Sequence, residues 1–172
     1  MKEVVFFLGG CKSGKSRHAL KYANQLSNEN KTYIATCQPQ DNEMKHRVEM
    51  HQKERGNDWN TVEEYLDLPQ AVIDCGKNSN VILIDCLTLW ITNLLLANID
   101  NIEKSAEELI QAISNVPCPV LIVSNEVGMG IVPENKLART FRDIAGIVNQ
   151  KIAAYADKVI NTVAGIPVTI KE

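Results

Sequence analysis

The residues best suited to chemistry lie near the start of the chain, where positions 9 to 16 read G-G-C-K-S-G-K-S. This is the G-x-x-x-x-G-K-S pattern of a phosphate-binding loop. Glycines let backbone N–H groups curl around phosphates, and a helix that follows directs its positive end at the same anion. Lys15 is then expected to reach the β- and γ-phosphates, and Ser16 to ligate Mg²⁺. The alternative is a glycine-rich turn in which Lys and Ser follow by chance.

A loop of this kind needs an acidic partner near the metal, at the carboxyl end of a buried strand beside the first one. Asp85 ends the apolar run V-I-L-I-D and fits that position. The same residue could instead cap the helix predicted to begin near Leu87. The two roles do not exclude each other.

Polar residues follow a further buried strand, in the stretch S-N-E-V-G-M-G from Ser124 to Gly130. Strand ends on this side of an α/β sheet collect ligand contacts, so Glu126 is a candidate for nucleotide binding or for a general base. The alternative is a flexible loop with a solvated glutamate.

The chain has three histidines, and His46 and His51 lie in a segment with helical spacing from Asp41 to Arg55. Arg47 lies one turn before His51, and Arg55 shares its face. A histidine beside guanidinium groups suits a phosphate site or a nucleophile toward phosphorus. A solvated helix histidine is the alternative.

The composition is that of an ordinary globular chain of 172 residues, and we expect one domain over residues 1 to 172. A net charge of −3 argues against nucleic acid as a partner. Five scattered cysteines are typical of reduced thiols in the cytoplasm rather than of disulfides. The apolar stretch Val81 to Ala97 is interrupted by polar residues, so we predict a strand and a helix there and no membrane span.

Strand-like and helix-like segments alternate along the chain, which predicts an α/β fold with a mostly parallel central sheet flanked by helices. A long helix is expected to open at Pro133, and a short helix from Leu68 to stop at Gly76. Two final strands, Lys158 to Val163 and Pro167 to Ile170, are expected to be joined by a tight connection at Ala164 and Gly165.

Five segments taken together resemble one family, in order over nearly the whole chain. They are G-G-C-K-S-G-K-S-R-H-A, Y-I-A-T, D-N-E-M-x-x-R-V-x-x-H, D-C-L-T-L-W-x-x-N-L-L, and the long block from Ser124 to Gln150 that starts S-N-E-V-G-M-G. The chain resembles the bifunctional adenosylcobinamide kinases and adenosylcobinamide-phosphate guanylyltransferases of cobalamin biosynthesis. The last block is far more specific than the phosphate loop.

The resemblance implies two reactions. ATP or GTP phosphorylates the terminal hydroxyl of the aminopropanol arm of adenosylcobinamide, and GMP is then transferred from GTP to that phosphate through a GMP–histidine intermediate. The histidine that matches the family pattern is His51, with Met50 before it, whereas His46 does not match. The resemblance also implies a P-loop NTPase fold of the RecA-like type, a cytoplasmic homotrimer, and small-molecule partners.

The expected site joins the motifs and the resemblance. Catalysis is assigned to His51, Lys15 and Asp85, and Mg²⁺ to Ser16 and Asp85. Nucleotide binding is assigned to Gly9, Gly10, Cys11, Lys12, Ser13, Gly14, Lys15, Ser16, Thr36, Arg47, Arg55 and Glu126. Competing interpretations are a P-loop kinase for another small alcohol or nucleoside, and a non-catalytic nucleotide-binding switch.

Overall fold

A computed structural model describes residues 2–39, 56 and 58–172 of the chain. These residues form one seven-stranded sheet with helices on its two faces. The strands are β1 (Val4–Gly9), β2 (Lys31–Ala35), β3 (Trp59–Glu63), β4 (Val81–Asp85), β5 (Val120–Asn125), β6 (Lys158–Val163) and β7 (Ile166–Lys171). The helices are α1 (Lys15–Leu26), α2 (Leu68–Gly76), α3 (Leu87–Leu96), α4 (Ile102–Asn115) and α5 (Lys136–Tyr155).

The sheet has the strand order β3-β2-β4-β5-β1-β6-β7. All neighbouring strands run parallel except β6 and β7, which are antiparallel. Strand β1 lies between β5 and β6, and Phe6 is in register with Ile122 on one side and Val159 on the other. The predicted α/β fold with a mostly parallel sheet is confirmed.

Two apolar cores lie on opposite faces of the sheet. The larger core joins α2, α3, α4 and α5 to side chains such as Phe6, Ile84 and Ile122. The smaller core joins α1, through Ala19 and Ala23, to the alternate residues of the same strands. Side chains of a strand point to alternate faces, so the near-continuous apolar runs of β1, β4 and β5 fit a sheet covered on both sides.

The start of α5 differs from the prediction. The helix begins at Lys136, and its N-cap is Asn135, whose side chain accepts a hydrogen bond from the N–H of Ala138. The prediction that Pro133 opens the helix is wrong. An asparagine cap satisfies an N–H group of the first turn, which proline at the first position does not do.

The end of α2 is where it was predicted, but for a different reason. Gly76 does not adopt a positive φ, and the helix is capped by Lys77 in right-handed helical geometry. A Cβ at position 76 would lie 2.3 Å from Cγ1 of Val116. Glycine is therefore required by close packing rather than by a left-handed cap.

The connection between β6 and β7 is the tight turn predicted at Ala164 and Gly165. Their φ angles are 51° and 83°, as a two-residue hairpin of the type I′ kind requires. Val81–Ala97 is divided into β4 and α3, and none of the described helices is long and apolar enough to cross a bilayer.

The helix predicted from Asp41 to Arg55 lies outside the described residues, and so do Arg47 and His51. The single domain predicted over residues 1 to 172 therefore stays a prediction.

Candidate phosphate-binding site

The phosphate loop connects the carboxyl end of β1 to the amino end of α1. Gly14 is the N-cap of α1, in left-handed geometry with a φ of 97°, and no side chain caps the helix. The N–H groups of the first turn are therefore not taken by a capping side chain, and the helix dipole places partial positive charge there. This arrangement suits a bound phosphate.

Gly9 makes a close approach that only glycine allows. Its φ is 154°, and a Cβ at this position would lie 2.5 Å from Oγ of Ser13 and 2.6 Å from the carbonyl oxygen of Thr162. The loop therefore folds directly over the end of the sheet, against β6.

Lys15 is the first residue of α1, and it is 8% exposed although it carries a charge. Its Nζ donates a hydrogen bond of 3.1 Å to the carbonyl oxygen of Gly10. The ammonium group therefore contacts the backbone of the phosphate loop. Ser16 is the next residue of the helix. Among the other predicted loop residues, Gly10, Cys11 and Lys12 are exposed, whereas Ser13 is buried.

The turn of the β6–β7 hairpin is hydrogen-bonded to the phosphate loop and to α1. The N–H of Gly165 donates to the carbonyl oxygen of Ser13 at 2.9 Å. Nε2 of His18 lies 2.9 Å from the carbonyl oxygen of Gly165 and donates to it, because a carbonyl oxygen only accepts. A histidine of α1 and a turn near the end of the chain therefore hold the phosphate loop together.

Asp85 is at the carboxyl end of β4, as predicted, but β4 is not beside β1. Strand β5 lies between them. Two strand spacings separate β4 from β1 by about 10 Å, a gap that a hydrated metal and phosphate oxygens can fill. The alternative role of Asp85 as a helix cap is not seen, because the N-cap of α3 is Cys86 and no side chain caps that helix.

Thr36 is fully buried behind Asp85. Its hydroxyl donates to the carbonyl oxygen of Cys86 at 2.7 Å and accepts from the N–H of Cys86 at 2.8 Å. The N–H of Thr36 also donates to the carbonyl oxygen of Asp85. Thr36 thus fixes the backbone next to the carboxylate, and its predicted contact with nucleotide stays a prediction.

The thiol of Cys86 lies within the electrostatic reach of two predicted site residues. Burial, with the charge of Asp85, raises the pKa of this thiol to about 12, although Lys15 opposes the shift. The thiol is therefore neutral at physiological pH.

Glu126 follows β5 and touches the phosphate loop through its backbone. Its N–H donates to the carbonyl oxygen of Gly9 at 3.1 Å. Its carboxylate turns back and accepts a hydrogen bond from the N–H of Gly128. The side chain thus shapes its own loop, while the backbone ties that loop to the start of the phosphate loop.

Several buried polar atoms converge on this edge of the sheet with no hydrogen-bond partner in the described part of the chain. Asn125 and Thr162 face Gly9 in register from the two flanking strands, and Oδ1 of Asn125 and Oγ1 of Thr162 are unpaired. So is Oγ of Ser13. Buried polar atoms without a partner call for water or a ligand. Sequence reasoning missed Thr162, since nothing local distinguishes it from other strand threonines.

The donor set suits Mg²⁺ better than a metal held by protein alone. Among the described residues, no group of three or more histidine, cysteine or acidic side chains could hold a metal. A hydroxyl from Ser16 and a carboxylate from Asp85 leave most positions to phosphate oxygens and water, as Mg²⁺ prefers. These residues therefore fit a nucleotide-borne magnesium ion.

The remaining predicted site residues, Arg47, His51 and Arg55, lie outside the described residues. Their roles stay predictions.

Comparison with known proteins identifies relatives over nearly the whole chain. Residues 5–170 match the model of the family described as cobinamide kinase / cobinamide phosphate guanyltransferase. The chain is 41% identical over 182 residues to the bifunctional adenosylcobalamin biosynthesis protein CobU of Escherichia coli K12, covering 98% of this chain and 99% of the relative. It is 40% identical over 172 residues to the corresponding CobP of Pseudomonas aeruginosa, covering 99% and 98%.

Solved structures share the fold at low sequence identity. The flagellar accessory protein FlaH from Methanocaldococcus jannaschii superposes with a TM-score of 0.56 at 14% identity, covering 98% of this chain and 78% of that one. The RadB recombinase superposes with a TM-score of 0.55 at 13% identity, covering 92% and 73%. These neighbours confirm the predicted P-loop NTPase fold of the RecA-like type.

Proposed function

The chain belongs to the cobinamide kinase / cobinamide phosphate guanyltransferase family, and from this membership we infer that it is a bifunctional kinase and guanylyltransferase of adenosylcobalamin biosynthesis. The single observation that carries this conclusion is the match of residues 5–170 to the family, which includes the phosphate loop with its buried Lys15. The substrates are a nucleoside triphosphate and a corrinoid alcohol.

In the kinase step, we propose that the phosphate loop holds the triphosphate while the terminal hydroxyl of the corrinoid arm attacks the γ-phosphorus. The bond from that phosphorus to the bridging oxygen breaks, and the nucleoside diphosphate leaves. Lys15 and the loop N–H groups stabilise the negative charge on the transferring group. Glu126 is the candidate acceptor for the hydroxyl proton, since its backbone already contacts Gly9.

Mg²⁺ would be held by Ser16 and Asp85 together with phosphate oxygens. When bound, it neutralises charge on the β- and γ-phosphate oxygens. Thr36 supports this arrangement by fixing the backbone at Asp85 and Cys86.

In the transferase step, we propose that the imidazole of His51 attacks the α-phosphorus of GTP and displaces pyrophosphate. The phosphate of the corrinoid then attacks the same phosphorus, takes the GMP group and frees the imidazole. Histidine suits this role because its pKa near 6.5 keeps the ring largely neutral and nucleophilic at pH 7. Arg47 or Arg55 is the proposed counter-charge for the α-phosphate. The family resemblance also supports a homotrimer in the cytoplasm.

The transferase proposal is tested by labelling. Wild-type protein incubated with [α-³²P]GTP and Mg²⁺ is expected to retain label that acid releases and base does not, the behaviour of a phosphoramidate. His51→Ala should retain none, while the matched control His46→Ala should label normally. An unlabelled wild type, or full labelling of His51→Ala, would contradict the assignment.

A further inference from the structure

The loop that follows β5 exposes an unusual amount of apolar surface. Residues 128 to 133 read G-M-G-I-V-P and contain no charged or hydrogen-bonding side chain. Met129 is 89% exposed, Ile131 96% and Val132 63%. Adjacent exposed apolar side chains of this kind mark a binding surface rather than ordinary solvent exposure. We call residues 128 to 133 the apolar loop.

The apolar loop is held at both ends by arginines of α5. A guanidinium nitrogen of Arg142 donates to the carbonyl oxygen of Gly128. Arg139 donates to the carbonyl oxygen of Pro133 at 3.0 Å and also to that of Glu134. The polar backbone of the loop is therefore anchored on the protein, while its apolar side chains point away.

The apolar loop begins at the phosphate site. Glu126, two residues before it, donates its N–H to Gly9 at 3.1 Å, and Asn125 is in register with Gly9. Ile131 is five residues beyond Glu126, so it lies within at most about 18 Å of this contact even if the chain were fully extended. A substrate whose hydroxyl reaches the phosphates could therefore contact the apolar loop with the rest of its surface.

We propose that the apolar loop binds the corrin ring of cobinamide and so places the hydroxyl of its arm at the phosphate loop. This inference rests on the proposed function, because the corrinoid is the acceptor of that reaction. A corrin presents broad apolar faces, and exposed Ile, Val and polarisable Met side chains suit such a surface. A short anchored loop also meets the ligand with little loss of conformational entropy.

Another opening in the structure is a poorer match. A groove of about 670 Å³ lies between β3 and α2, lined in part by Glu64, Asp67 and Asp74. Strand β3 is four positions from β1 in the sheet, about 19 Å away, and the groove contains no residue of the phosphate loop. Its largely polar lining, which includes three carboxylates, and its distance from β1 favour the apolar loop as the corrin surface.

The test uses the full chain and adenosylcobinamide. Initial rates of ATP-dependent phosphorylation are measured for wild type, Ile131→Ser and the double variant Ile131→Ser/Val132→Ser. We expect the KM for adenosylcobinamide to rise about fivefold to tenfold for Ile131→Ser and further for the double variant, with the KM for ATP unchanged. Isothermal titration with adenosylcobinamide should give the same loss of affinity.

The matched control is Leu96→Ser, which removes a 55% exposed apolar side chain at the far end of α3 and should leave both KM values unchanged. An unchanged KM for the corrinoid in the active double variant would overturn the inference alone. So would light scattering that shows a loss of subunit assembly in the loop variants, since the loop would then be a subunit contact. A wild type that phosphorylates no corrinoid would instead overturn the proposed function, and this inference with it.

Discussion

At the scale of single residues, the two glycines that open the phosphate loop differ in how strictly the structure requires them. Gly9 and Gly10 are neighbours in sequence but differ in surroundings. A Cβ at position 9 would meet Ser13 and Thr162 at 2.5 and 2.6 Å, whereas a Cβ at position 10 would meet nothing within 4 Å. The first glycine is therefore a packing requirement, and the second is not.

Gly9→Ala is expected to lower the free energy of unfolding by about 2 kcal/mol or more, because the new methyl group overlaps backbone and strains a positive φ. It should also weaken nucleotide binding, since the loop must move off β6. Urea unfolding and a nucleotide titration measure the two effects. Gly10→Ala is the control and should stay within about 0.5 kcal/mol of wild type. Equal stability of the two variants would contradict the structure of the loop.

At the scale of elements, the glycine at the end of α2 determines how closely this helix packs against the segment that follows α4. Gly76 faces Val116, and a Cβ there would lie 2.3 Å from the valine side chain. Glycine in a helix normally costs stability relative to alanine. Here the close contact with Val116 makes glycine more favourable than alanine at position 76.

We therefore expect Gly76→Ala to destabilise the protein by about 1–3 kcal/mol through overpacking. Adding Val116→Ala should recover part of that loss, because it removes the clashing methyl groups. Gly146→Ala in α5, where a Cβ would meet nothing within 4 Å, should instead stabilise by about 0.5–1 kcal/mol. Chemical denaturation of the wild type and the three variants gives these values, and a stabilising Gly76→Ala would show that the two segments are not in contact.

These elements also show where sequence reasoning succeeds. The phosphate loop, the buried strands and the hairpin turn at Ala164 and Gly165 are encoded by local patterns, and the structure confirms them. The true cap of α5, Asn135, was missed because Pro133 offered a stronger local signal. The position of β5 between β1 and β4 could not be predicted from the sequence, because strand order depends on contacts between segments that are distant along the chain.

The candidate site divides in the same way. Lys15, Ser16 and Asp85 are predicted from motifs that are local, and the structure places them at the start of α1 and the end of β4, while their roles in binding and catalysis stay predictions. Thr162 and its register with Gly9 were not predicted, because an isolated threonine in a strand has no distinguishing pattern. The support that Gly165 and His18 give to the loop was likewise invisible before the fold brought them together.

At the scale of the whole molecule, the buried thiol of Cys86 links stability to alkaline pH. Its pKa is about 12 in the folded chain and near 9.0 when exposed. Between these values the unfolded chain releases a proton that the folded chain keeps. The folded state is therefore fully favoured below pH 9 and loses stability as pH rises through this window.

We expect the free energy of unfolding to fall between pH 9 and 10 with a contribution from this thiol of up to about 1.4 kcal/mol per pH unit. Cys86→Ala should show a shallower slope, while Cys11→Ala, at an exposed thiol, should keep the wild-type slope. Denaturation curves at closely spaced pH values provide the measurement. Parallel slopes for wild type and Cys86→Ala would mean that the thiol is not buried.

The position of β1 in the middle of the sheet has a consequence for how the protein is made. This strand is translated before the other described strands, yet both of its neighbours, β5 and β6, are translated only after β2, β3 and β4. The turn that braces the phosphate loop emerges later still. A nascent chain therefore acquires the complete phosphate loop only after β6 and its turn have been translated. Until then the apolar strand β1 has neither of its partner strands to pair with and is exposed to aggregation or to binding by a chaperone.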